Sequence, residues 1–164
     1  MSVSMTIRSE GIDQVLSRLN RLAGFTARQA AQGVSAILES QTRRRIETEK
    51  RSPAGVPWKP NRAGTPILMR TGRNLHDSIA GRAAGADAIV EAHWQFAHVH
   101  QQGMTIRPKT KSRLVFRIGG NGQPIFARQV TIPKREFIGL SPDNEKEIVA
   151  ELNATLAELA GGRR

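Results

Sequence analysis

The stretch SPAGVPWKPNRAGTPILMRTGRNLHDSI, residues 52–79, is where the chain changes character. It holds four of the eight prolines, one of the two tryptophans and a dense set of arginines and lysines with almost no acid. Proline has no N–H to donate and its ring clashes with a preceding turn, so this segment is neither helix interior nor central strand. Trp58, Ile67, Leu68 and Leu75 are nevertheless too apolar for an idle linker. A long loop with such anchors holds something or is held by it.

Ahead of the loop the apolar residues fall mainly at helical spacing. Val3, Met5 and Ile7 alternate with polar residues as a short half-buried strand would. Ile12, Val15, Leu16, Leu19 and Leu22 then share one helical face, and Gly24 ends it. Thr26 is placed to cap a second helix reaching about Lys50, with Ala30, Ala31, Val34, Ile37 and Leu38 as its buried stripe. Beyond Leu38 the sequence turns to QTRRRIETEK, which predicts a charged helix end projecting into solvent or onto a partner. Ser52-Pro53 stops it.

After the loop the period shortens. Ser78–Ala84 and Ala88–Trp94 read as strands joined through Gly85-Ala86-Asp87, with Val90, Ala92 and Trp94 on one face and Glu91 and His93 on the other. QFAHVHQQ follows as a short helix or turn closed by Gly103. MTIRPKTKSR reads as a mobile loop leading to a basic hairpin, in which Leu114, Phe116 and Ile118 alternate outward and Phe126, Val130 and Ile132 return. Ser141-Pro142-Asp143 supplies a capping hydroxyl, a proline at the first helical position and an acid at the positive end of the dipole. Ile148, Val149, Leu152, Leu156 and Leu159 are the expected stripe of this last helix. The expected fold is α+β: N-terminal helices and a C-terminal helix packed on a small, mostly antiparallel sheet. We expect one domain over residues 1–164, with flexible loops at about 51–73 and 104–112.

Charge is distributed in blocks. The net charge is +11; residues 43–73 hold nine basic and two acidic groups, residues 104–135 eight basic and none acidic, and residues 136–160 six acidic and one basic. Such asymmetry favours polyanions or an acidic protein surface as partners. Arg43, Arg44, Arg45, Arg107, Lys109, Lys111 and Arg113 are the candidate basic contacts, and a solvated basic surface without a partner is the plain alternative. DNA phosphates could be tracked without base readout, although aromatic content is only 4%, which leaves little for base stacking.

Catalytic readings find little to stand on. There is no cysteine, no tyrosine and no G-x-S-x-G elbow, and Asp77, Asp87 and Glu91 are the only acids between Lys50 and Glu136. GGNG at 119–122 lacks the Lys-Ser/Thr continuation of a phosphate loop. His93, His98 and His100 lie near Glu91, but the spacing of His98 and His100 puts them on different sides of a helix, and a hydrolytic zinc site needs a further ligand set. No cofactor is expected. No window is long and apolar enough for a membrane span and the first residues lack a signal-peptide run, so the expectation is a soluble protein of a reducing cytoplasm.

Three motifs in order give a resemblance. Pro53-Ala54-Gly55-Val56-Pro57-Trp58 resembles P-x-G-x-x-W and is followed by Leu68-Met69-Arg70-Thr71-Gly72, similar to L-x-x-T-G, and by Ser78-Ile79. Phe96-Ala97-His98-Val99-His100-Gln101-Gln102-Gly103 resembles Y-A-x-x-H-Q-x-G, and Ile132 to Ser141 resembles I-P-x-R-x-F-L-G-L-S. Together they resemble the phage virion morphogenesis family of Mu-like and related tailed phages and prophages, which includes tail-completion proteins. Phe96 stands where the family pattern has Tyr, and Asn74 looks like one extra residue before Ser78.

The resemblance implies a non-enzymatic structural protein that acts in tail completion or head–tail joining. It further implies self-association, with a ring as one closed form, phage tail and neck proteins as partners, and work in the host cytoplasm or in the tail or neck of the particle. In that light Trp58, Lys59, Arg62, Arg70, Arg73, His100, Arg135 and Phe137 are candidate interface residues, aromatic and Arg groups being the usual anchors. The alternative for each is internal: His100 orienting its turn, Thr71-Gly72 forming one, Arg135 and Phe137 seating the last helix. By the interface reading the loop is a contact arm facing an acidic neighbour.

Overall fold

The computed structural model describes residues 2–7, 25–62, 64–69, 74–117 and 123–160. The N-terminal helix expected over Ile12–Leu22 lies outside them, as do Arg70 and Arg73. Helices and small antiparallel sheets are both present, an α+β fold.

Strand β1 (Val3–Ile7), strand β2 (Ile79–Ala84) and strand β3 (Asp87–Ala92) form one antiparallel sheet in the order β1-β3-β2. The β2–β3 hairpin closes over Gly85-Ala86, with Ala84 opposite Asp87. Gly85 takes φ +65°, the left-handed conformation a two-residue hairpin turn demands. Ala88, Val90 and Ala92 point inward as their alternation requires, while Glu91 faces out and pairs with Arg82.

Helix α1 (Ala27–Arg44) crosses this sheet. Thr26 caps it: its Oγ1 accepts from the Gln29 N–H, and the Gln29 side chain accepts from the Thr26 N–H in return, a capping box. Gly81 allows the helix to approach closely, since a Cβ there would stand 2.2 Å from the Ser35 carbonyl oxygen. Ala31, Val34 and Leu38 fill the space between helix and sheet.

The end of α1 corrects the expectation of a projecting charged arm. After Arg44 the chain makes one wider turn, Arg45–Glu49, closed by the Lys50 N–H on the Arg45 carbonyl at 3.0 Å and by Lys50 in the left-handed region. Gln41, Thr42, Arg45 and Ile46 are all buried. The face that begins with Val34 and Leu38 continues inward with polar chemistry.

Helix α2 (Ala97–Gln102) is the short helix before Gly103, and helix α3 (Pro142–Ala160) starts at the Ser141 cap, whose Oγ accepts from the Asn144 N–H at 3.1 Å. The stripe on α3 is narrower than its sequence: Ile148 is buried and Leu152 and Leu156 pack on Ala30, but Val149 and Leu159 are more than half exposed.

The segment expected to be a loop at 104–112 is one-third strand. Strand β4 (Met104–Ile106) pairs antiparallel with strand β7 (Val130–Ile132), and strand β5 (Leu114–Arg117) pairs with strand β6 (Pro124–Ala127). The returning side of the hairpin is thus divided between two partners, with residues 107–113 looping out between them. These four strands make an arm of two two-stranded ribbons, β4–β7 and β5–β6. Among the described residues, no element of the body packs substantially against β5 or β6.

Candidate functional site

The three motifs meet in the folded chain. Gln101, on α2, donates from Nε2 to the Ile138 carbonyl at 2.8 Å, and its Oε1 accepts from the Phe137 and Ile138 N–H groups at 3.0 and 3.1 Å. The Arg135 N–H donates to the His100 carbonyl at 2.7 Å. The Arg135 guanidinium reaches across to the proline-rich loop, donating to the Lys59 carbonyl and to Asn61 Oδ1, each at 2.9 Å from Nη2. Gly139 receives Pro53: a Cβ at Gly139 would lie 2.3 Å from the proline ring. The loop is tied at its base as well, where the Trp58 backbone N–H donates to the Lys50 carbonyl at 2.8 Å.

Beneath these contacts lies Arg45, 1% exposed. Its Nη1 donates to the Phe137 and Gly139 carbonyls at 2.9 Å each, and its Nη2 donates to Asn144 Oδ1. One rigid fork therefore holds the third motif and the start of α3 to the end of α1. Burial lowers the pKa of Arg45 from its usual value, and burial likewise lowers that of Arg135.

These positions revise the residue assignments. Trp58, read as a displayed anchor, is 6% exposed and belongs to the core with Ile46, Leu75 and Phe137. Phe137 is fully buried and Arg135 is 5% exposed. A large aromatic ring in a loop gains more by covering the core than by facing water, and the prolines shape the loop around it. Of the interface candidates described, only Lys59 and Arg62 are exposed; His100 is partly buried, its ring stacked on Trp94 at 5.6 Å. Burial, with the Arg135 charge beside it, lowers the His100 pKa from 6.5 to about 4.

The arginine run is no free cationic stripe. Arg43 binds Glu39 at 3.0 Å and the Ile79 carbonyl at 2.9 Å, Arg44 is held by Glu147 and Glu49, and Arg45 is interior. The Glu147 and Glu49 carboxylates raise the pKa of Arg44 above its usual value. By contrast Arg107, Lys109, Lys111 and Arg113 are all exposed on the arm; Arg107 touches Gln129 Oε1 at 3.2 Å.

Sequence reasoning missed Arg45, Gln101 and Asn144 as the ties between motifs. The available signal was the spacing: Leu38, Gln41, Thr42 and Arg45 continue the α1 face at steps of three and four.

A cleft of about 180 Å³ opens between the loop and α2, lined by Leu68, Leu75, Trp94, His100 and Arg135 among others. The described residues lining it include no carboxylate, hydroxyl or thiol. Among the described residues no three His, Asp or Glu side chains gather as a metal site, and no helix is long and apolar enough to cross a membrane.

The frame is thus helices around a small antiparallel sheet, with three ordered motifs locked together by Gln101, Arg135 and Arg45. The chain belongs to the phage virion morphogenesis family, which it matches over residues 7–157. It is similar to Mu-like prophage FluMu G protein 2 of Haemophilus influenzae, 29% identical over 150 residues that cover 89% of this chain and 91% of that protein. No solved structure matches it. Its role is therefore in phage particle assembly.

Proposed function

We propose that the chain acts without catalysis in tail completion or head–tail joining, as a self-associating protein that docks on phage tail and neck proteins. The site of action is the host cytoplasm during assembly, or the tail or neck of the particle. The observation that carries this reading is the division of labour in the molecule. Family motifs are spent on internal ties, and the basic arm is left outward with exposed Val115 and Phe126. A surface so arranged suits contact, and the neutral and cationic cleft offers no paired acid and base.

Deleting the gene in an inducible phage and imaging the lysate tests it. Expected are heads and tails that stay apart, or tails of abnormal end, with infectivity restored by adding the purified chain. Normal infectious particles in the deletion would contradict the proposal.

A second reading has its own observation: the exposed Lys109, Lys111 and Arg113 could follow DNA phosphates. That reading predicts duplex binding that weakens steeply with added salt.

A further inference from the structure

The arm made by β4 to β7 is unusual in what it leaves uncovered. In the β5–β6 ribbon Val115 pairs with Phe126 and Phe116 pairs with Ile125, so apolar side chains stand on both faces. Val115 and Phe126 are each 59% exposed. A two-stranded ribbon alone is marginal in water, and an apolar ribbon with no cover invites association. Whatever covers it must also meet its charge, because residues 104–135 hold eight basic groups and no acid.

The same chain carries a matching surface. Residues 136–160 hold six acidic groups and one basic, most of them on α3. Glu147 is already engaged by Arg44, but Glu145, Glu151 and Glu158 are exposed, beside Val149 at 56% and Leu159 at 54% exposure. Among the described residues, α3 packs on α1 and makes no substantial contact with the arm of its own chain.

We infer that the arm of one copy docks on the exposed acidic side chains of α3 of a second copy. This rests on the self-association proposed above and names the two surfaces that make it. Each copy offers one arm and one helix, so the contact is heterologous: it propagates, closing into a ring or continuing as a filament according to the rotation between copies. Charge sets the pairing and its rate, while Val115, Phe126, Val149 and Leu159 supply apolar area.

Sedimentation of two variants decides it. One carries Arg107→Glu, Lys109→Glu, Lys111→Glu and Arg113→Glu on the arm; the other carries Glu145→Lys, Glu151→Lys and Glu158→Lys on α3. The unaltered chain is expected to associate, and each variant alone to associate at least about tenfold more weakly. An equimolar mixture of the two regains association, because reversed arm meets reversed helix and native arm meets native helix. Regain in the mixture also rules out misfolding as the cause of the loss. Association of either variant at the native level, or no regain in the mixture, overturns the contact while leaving self-association standing. A native chain that stays monomeric at high concentration overturns both. So does a monomer that binds duplex DNA through the arm.

Discussion

Arg45 shows how much one buried side chain does in this chain. Its guanidinium is withdrawn from water, which is costly, and is compensated by two carbonyls and the Asn144 side chain. Removing it leaves the carbonyls of Phe137 and Gly139 without their donor in the interior. Arg45→Ala should therefore lower stability by about 3 kcal/mol in a denaturant titration, and Arg45→Lys should recover little, because an ammonium cannot reproduce the fork. A loss below about 0.5 kcal/mol would contradict this role. Trp58 belongs to the same scale: Trp58→Ala should cost about 3–5 kcal/mol as a core truncation, whereas a displayed contact residue would cost almost nothing on its own. His100 adds a pH signature. Its folded pKa of about 4 lies below the ordinary 6.5, so the unfolded chain binds the extra proton between those values. Stability should rise as pH climbs from about 4 to about 6.5 and should be level above it, the slope amounting to about 1–2 kcal/mol once partial solvent access is allowed for. In His100→Asn that slope should vanish, while the acid loss from Glu91 and Glu147, whose carboxyls Arg82 and Arg44 hold below their usual range, should remain. An unchanged slope in the variant would assign it elsewhere.

At the scale of elements, the arm and the body should behave as separate things. Replacing residues 107–129 by a short turn should change the stability of the body by less than about 1 kcal/mol, because the described body elements do not pack on β5 or β6. A larger loss by thermal melting would mean that the arm supports the core. Much of the element plan was legible beforehand, for definite reasons. Val3–Ile7, the β2–β3 hairpin, the Thr26 and Ser141 caps and the short helix before Gly103 all announce themselves through period or capping chemistry. The end of α1 did not, because its inward face changes from Val34 and Leu38 to Gln41, Thr42 and Arg45, and polar residues at core spacing read as solvent-facing. Strand β4 was hidden for a related reason: three residues, Met104–Ile106, carry too little alternation to show, and their partner Val130–Ile132 lies far along the chain. The described residues of the proline-rich loop are irregular and anchored by Trp58. What its sequence concealed was direction, for Trp58 turns inward while Lys59 and Arg62 face out.

For the whole molecule, the motifs and the exposed arm carry different parts of the account. The motifs hold this chain's frame together, and the surface that remains, basic and apolar on the arm and acidic on α3, is the one we propose for assembly contacts. Charge-driven self-association should weaken as salt rises, since the contacting groups are at the surface. The most direct measurement is completion of phage particles by purified protein in a lysate lacking it, comparing the native chain with the Arg107→Glu, Lys109→Glu, Lys111→Glu, Arg113→Glu variant. The variant is expected to melt at the native temperature and yet leave heads and tails unjoined. A variant that restores infectious particles as well as the native chain would contradict it.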